Sequence, residues 1–289
     1  MKRISRGSIA AITTLALVWL VTPAWAGPNA YITNEGGFTL TCRNSDAVSV
    51  IDTATNSVIA TVTVGFGPFG VTVTPDGKNV YVTNQCDDTV SVIATATNTV
   101  IATIPVGFDP VGAAASPDGK TVYVTNFGDF SVSVIDIASN TVTTTITTGP
   151  SPNGVAVTPN GSTVYVSIFG AAEVAAISTA SNMVVATIPV APTAGGVAIT
   201  PDGKTVYVAN SIGTVQAIST ASNTVVATIT VGFGPMIVAP SPDGSKVYVT
   251  KARPPRLILG EQLGHRPPAG LILHRQLFPG AVDYDKARL

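Results

Sequence analysis

The sequence predicts an all-β chain folded as a β-propeller of four-stranded antiparallel blades, about five repeats long. Three observations carry that reading. The composition suits short strands and tight turns: 45% of residues are hydrophobic and only 11% charged, with 27 Gly and 21 Pro, whereas soluble domains ordinarily carry about a quarter charged residues. A four-residue pattern returns at Tyr31, Tyr81, Tyr123, Tyr165, Tyr207 and Tyr248, at intervals of 50, 42, 42, 42 and 41 residues. Each interval holds four runs that alternate apolar and polar residues and are bounded by Gly, Pro, Asn or Asp, the signal of strands joined by hairpins. A lone four-stranded sheet cannot bury both faces; stacked radially, each blade covers its neighbour.

The period beginning at Val71 shows the elements in order. Val71 to Thr74 forms a first strand and Pro75-Asp76-Gly77-Lys78 turns the chain. Asn79 to Thr83 forms the second strand, Thr89 to Ile93 the third and Thr99 to Ile104 the fourth, with a turn at Thr95-Ala96-Thr97-Asn98. Pro-Asp-Gly recurs from Pro117, Pro201 and Pro242, with Pro159-Asn160-Gly161 as a variant. Pro presets the backbone, Asp or Asn suits the next position and Gly accepts positive φ, so turn chemistry accounts for these carboxylates without a metal.

Residues 1–26 read as a signal peptide. Lys2, Arg3 and Arg6 precede the uncharged stretch Ile9 to Val21, and Ala24-Trp25-Ala26 offers a cleavage site. The stretch of 13 residues is shorter than the roughly 20 that span a bilayer. The expectation is an exported chain, periplasmic, extracellular or at the cell surface, with no transmembrane anchor after cleavage. Residues 31–250 contain 13 acidic and 5 basic residues. Nucleic-acid binding uses rows of Lys and Arg to displace phosphate counterions, so this acidic body predicts no nucleic-acid partner.

The Tyr motifs, the Pro-Asp-Gly turns and segments such as Ser91-Val92-Ile93 resemble the YVTN family of β-propeller repeats found in secreted and cell-surface proteins of bacteria and archaea. The resemblance covers residues 31–250. It implies a propeller, commonly of seven blades, but no particular activity. This chain departs from that number, with five full periods and the start of a sixth. Ala30 to Thr33 is a second strand without its first. Ile237 to Pro240 is the expected donor that would complete it as a composite blade; the alternative is an incomplete ring, an open arc with exposed edges.

The repeat stops near residue 251. Residues 251–289 form a basic tail rich in Pro and Arg, holding both His of the protein and no Ser or Thr. Two readings stay open: an out-of-frame replacement of further repeats, which an alternative frame encoding more of them would support, or a genuine basic tail that binds an acidic surface.

Catalysis is not expected. The body lacks His and contains one Arg and two Glu, so no Ser-His-Asp triad and no His-held haem or copper fits within it. No cofactor and no metal is predicted; the Asp87-Asp88 loop lacks the spaced ligands of a calcium site. Binding is the better reading. Loops 2–3 and 4–1 of a four-stranded blade open on one face, which collects Phe66, Phe69, Phe108, Phe127, Phe130, Phe169 and Phe233 with Asp109, Asp129, Asn84, Asn126 and Asn210. These residues are the candidate site for a protein, small-molecule or glycan ligand; the competing reading is that each Phe plugs a gap beneath its loop. Cys42 and Cys86, the two cysteines, are expected to form a disulfide between the first two blades in an oxidising compartment. The sequence thus predicts a secreted, non-enzymatic binding or cell-surface interaction module. The alternatives are a lactonase-like hydrolase using acidic loop residues and a truncated propeller without stable function.

Overall fold

The computed structural model of the chain describes residues 29–34 and 45–251. These residues form 21 strands and no helix. The segment expected to be a signal peptide, Cys42 and the tail from 252 onward lie outside the described residues.

Consecutive strands pair antiparallel into six sheets. Blade one has β1 (Asn29–Asn34), β2 (Ala47–Asp52) and β3 (Ser57–Thr63). Blade two has β4 (Pro68–Val73), β5 (Asn79–Asn84), β6 (Thr89–Ala94) and β7 (Thr99–Pro105). Blade three has β8 (Pro110–Ala115), β9 (Thr121–Asn126), β10 (Ser131–Asp136) and β11 (Thr141–Thr147). Blade four has β12 (Pro152–Val157), β13 (Thr163–Ile168), β14 (Glu173–Ser178) and β15 (Met183–Pro189). Blade five has β16 (Ala194–Ile199), β17 (Thr205–Asn210), β18 (Thr214–Ser219) and β19 (Thr224–Thr230), and blade six only β20 (Pro235–Pro240) and β21 (Val247–Lys251).

The expected composite blade does not form. β20 pairs with β21, and β1 pairs only with β2, so the described residues make an open arc of propeller blades. The reason is local: residues 241–246 fold the same turn that follows every first strand, with Ser241 N–H donating to Lys246 O at 2.8 Å. A neighbour in sequence captures β20 before a distant strand can.

First strands lie innermost. β4, β8, β12, β16 and β20 contact one another in succession and line a groove of about 410 Å³ without a charged side chain among its described walls. Gly permits this approach. A Cβ on Gly70 would sit 2.1 Å from the Val111 carbonyl oxygen, and one on Gly112 would sit 2.5 Å from that of Asn153. A bulge at each Gly lengthens the first strand beyond the predicted Val71 to Thr74, back to Pro68, so Phe69 belongs to β4 and not to a loop.

Outer strands carry a second bulge at one fixed place. Ile59, Ile101, Thr143, Val185 and Val226 each stand unpaired in the ladder to the third strand. These strands have no charged residue, and a bulge is a way to spoil an exposed edge for pairing with another chain.

Three side-chain devices join the blades. Tyr31 Oη donates to Asn98 Oδ1 at 2.8 Å, Tyr81 to Asn140 at 2.6 Å and Tyr165 to Asn223 at 2.7 Å. Each Asn sits in the 3–4 turn of the next blade at φ of 52°, a left-handed conformation that Asn tolerates. Tyr123 and Asn182 occupy the same places, but Asn182 Oδ1 is buried without a hydrogen-bond partner. The hydroxyl two residues after Tyr makes the second link: Thr83 Oγ1 accepts from Gly70 N at 2.7 Å and donates to Val111 O at 2.9 Å. Thr125 and Ser167 repeat it; Ala209 cannot. The third device is apolar packing, as where Tyr81, Val92 and Ile104 of blade two meet Val122, Val124 and Ile135 of blade three.

Candidate functional site

The strand order places the 2–3 and 4–1 loops at one rim, and hydrogen bonds tie them together. Gln85 N donates to Gly67 O at 2.9 Å, Phe127 N to Asp109 O at 2.9 Å and Phe169 N to Ser151 O at 3.1 Å. Carboxylates complete the fastening. Asp87 Oδ2 accepts from Phe66 N at 2.8 Å, Asp129 Oδ2 from Phe108 N at 2.6 Å and Asp88 Oδ1 from Asp109 N at 2.9 Å. Burial pushes the Asp109 carboxyl above the ordinary carboxylate range; a Gln85 hydrogen bond opposes that and the Asp88 charge adds to it.

The phenylalanines divide into two sets. Phe108, Phe130 and Phe233 stand 60%, 49% and 62% exposed, and Phe66 is exposed to a lesser degree. Phe69, Phe127 and Phe169 are half-buried, with the Phe127 and Phe169 rings 6.3 Å apart across blades three and four. The Phe108 ring lies over Gly128, where any side chain would collide with it. Phe130 holds φ at 55°. For a bulky residue that left-handed conformation costs about 1–2 kcal/mol, and about half of the side chain stays in water.

The asparagines require a correction. Asn84, Asn126 and Asn210 are fully buried and take no part in the surface. Each ends a second strand and points beneath its loop: Asn84 Nδ2 donates to Thr89 Oγ1 and Ser91 Oγ, both at 2.9 Å, and Asn126 Nδ2 to Ser131 and Ser133 at 3.0 and 2.8 Å. Hydroxyls five and seven residues downstream are the signal that marks such an Asn as a loop anchor.

Cys86 is disulfide-bonded; Cys42, its expected partner, lies outside the described residues. Among the described residues no group of three His, Cys, Asp or Glu side chains is placed to hold a metal ion. The opposite rim is built from the Pro-Asp-Gly turns. Asp76 Oδ1 accepts from Thr74 Oγ1 at 2.7 Å and Lys78 N at 3.1 Å, with Gly77 at φ of 71°. These bonds hold the Asp76 carboxyl below the usual range, the Thr74 hydroxyl contributing most. The carboxylates of this rim are turn caps.

A family description, YNCE-like beta-propeller, matches residues 75–162. The chain is a β-propeller repeat protein, similar over those residues to the YNCE-like propellers. This propeller resembles the Kuenenia stuttgartiensis hydrazine synthase structure at 29% identity and a TM-score of 0.69, over 78% of this chain and 71% of that one. It also resembles a functionally unknown protein from Desulfotomaculum acetoxidans DSM 771, at 20% identity and a TM-score of 0.67, over 78% and 76% of the two chains; that likeness concerns the fold. No curated protein matches the propeller sequence. Among the described residues no helix is long and apolar enough to cross a membrane.

Proposed function

We propose that this propeller is an exported, non-enzymatic binding module that meets a protein or glycan partner of the cell envelope through its Phe-bearing rim. The propeller fold supports an interaction or structural module, and one observation carries the finer reading. Phe130 is both exposed and held in a left-handed backbone conformation. A large aromatic held in a costly conformation with about half its surface in water points to a task other than folding. Phe66 and Phe108 on neighbouring 4–1 loops extend the aromatic surface, and Phe233 stands further round the arc; the carboxylate caps hold the loops ready before binding, which lowers the ordering cost. Asp87, Asp88 and Asp129 at this rim are engaged with backbone amides, which favours binding over acid–base chemistry.

Binding of the full chain to isolated cell envelopes of the producing organism tests the reading. Saturable binding is expected, weakened about tenfold or more by Phe108→Ser with Phe233→Ser. Phe130→Asn is expected to raise the melting temperature while weakening binding. Binding indifferent to all three substitutions, or metal-dependent turnover of a lactone by the wild type, would overturn it and favour a hydrolase.

A further inference from the structure

The rim loops of this propeller are built in two ways. At the first two junctions a Phe of the 4–1 loop donates its amide to an Asp of the following 2–3 loop. Phe66 N meets Asp87 Oδ2 at 2.8 Å and Phe108 N meets Asp129 Oδ2 at 2.6 Å. At the next junction Pro150 and Ala171 stand in the places of Phe108 and Asp129. Pro has no amide to satisfy, so Ala suffices opposite it. The loop backbone is the same in both designs. Val106 N donates to Asp88 O at 3.0 Å, Thr148 N to Phe130 O at 2.9 Å and Val190 N to Ala172 O at 2.9 Å. Asp88, Phe130 and Ala172 share the left-handed conformation, at φ of 54°, 55° and 55°. The fold therefore requires neither an exposed ring nor a carboxylate at these places.

Both Phe–Asp pairs lie in one acidic stretch of the rim. Asp46, Asp87, Asp88, Asp109 and Asp129 all belong to loops of blades one to three, and the exposed Phe66, Phe108 and Phe130 stand among them. None of the described rim loops contains Lys or Arg. Lys78, Lys120, Lys204 and Lys246 lie in turns of the opposite rim, and Lys251 ends blade six. Past Phe130, the loops at 148–151, 169–172, 190–193 and 211–213 carry no charged residue and no exposed aromatic. Phe233 stands apart from the acidic stretch.

Each pair offers a cation two complementary surfaces. Asp87 and Asp129 are exposed, and the Phe amide engages one oxygen of each, leaving the second for a partner. The Phe108 ring lies over Gly128, the residue before Asp129, so ring and carboxylate adjoin. A ring face attracts an ammonium or guanidinium group, and a carboxylate pairs with it directly. Anionic polymers and phospholipid headgroups would be repelled, and a neutral glycan would leave the charges unmatched.

We propose that the partner of this rim is a basic protein segment, whose Arg or Lys side chains lie against Phe66 and Phe108 and pair with Asp87 and Asp129. The inference rests on the Phe-rim reading and adds the chemistry of the partner. Two such sites on neighbouring junctions suit a segment that carries at least two cations. Arg fits best, because its flat guanidinium stacks on a ring while its edge meets a carboxylate.

Fluorescence anisotropy of the full chain with a labelled Arg-Ser repeat peptide tests it, with envelope binding measured in parallel. The Arg-Ser peptide is expected to bind and a Glu-Ser peptide is not. Raising NaCl from about 50 mM to about 500 mM is expected to weaken peptide and envelope binding about tenfold. Asp87→Asn with Asp129→Asn keeps an acceptor oxygen for each Phe amide and is expected to weaken both about tenfold. Phe108→Leu keeps apolar bulk without the aromatic face and is expected to weaken both about threefold. Asp118→Asn, on the opposite rim where blade four already has Asn160, is expected to change neither. Envelope binding untouched by salt and by the Asp pair would overturn the proposal. The Phe-rim reading would then stand, with a neutral glycan as partner, if Phe108→Ser with Phe233→Ser still weakens that binding. A wild type that ignores the Arg-Ser peptide would also overturn the proposal, as would equal loss in Asp118→Asn, since overall charge would then account for binding. Envelope binding indifferent to every Phe substitution would sink the Phe-rim reading, and the proposal with it.

Discussion

Blades three and six begin alike and end differently. Each opens with a first strand, a turn capped by an Asp and a second strand bearing Tyr. In blade three that Tyr and the strands around it disappear into the junction with blade four, in the cluster of Tyr123, Val132, Ile146 and Val166. In blade six Tyr248 stays largely in water. The residue type is the same; what differs is whether a neighbour supplies the covering face. In a stacked-repeat protein, stability sits in the junctions as much as in the repeats.

Substitutions at equivalent positions sharpen this contrast. Tyr81→Ala, which empties a junction, is expected to cost about 3–5 kcal/mol, whereas Tyr248→Ala is expected to cost less than about 0.5 kcal/mol; urea unfolding of the two variants measures the difference. Equal losses would mean that the C-terminal face is covered in solution.

Removing a single hydroxyl separates two interior junctions that otherwise match. Tyr81→Phe leaves Asn140 Oδ1 without its donor and is expected to cost about 1–2 kcal/mol. Tyr123→Phe is expected to cost less, because Asn182 Oδ1 has no partner to lose. The same unfolding experiment reads both.

The smallest effect belongs to the rim opposite the phenylalanines. The Thr or Ser hydroxyl ahead of each turn holds Asp76, Asp118 and Asp202 below the ordinary range and Asp243 at about 2. A depressed folded-state pKa gives stability that is present above the unfolded value, about 4, and lost as pH falls through the folded value. Melting temperature is therefore expected to decline modestly from about pH 4 towards pH 2, and Ser241→Ala is expected to flatten the part due to Asp243. These carboxylates face water, which keeps the effect small.

Much of the fold was legible because its signals are local. Alternation over five residues marks a strand, and Pro-Asp-Gly marks the turn after it. The candidate site was legible only in part. The pairing of 2–3 with 4–1 loops follows from strand order, so the Phe rim emerged with it, apart from Phe69, which a bulge at Gly70 draws into β4. Asn84, Asn126 and Asn210 looked like surface polar groups because their hydroxyl partners lie on the adjoining strand. The second role of Asn98, Asn140 and Asn223 was hidden for a related reason. As turn residues they need only their own neighbours, but as acceptors they need a Tyr 58–67 residues away.

By itself the sequence determined the repeat, its strands and turns and the side of each blade on which the loops open, since all of these rest on contacts within one hairpin. Only the tertiary structure decided which residues are buried, which amides and hydroxyls meet between blades, and that β20 stays with β21 and leaves the arc open. Those outcomes depend on a second surface, and a residue's own chemistry does not say whether that surface is present.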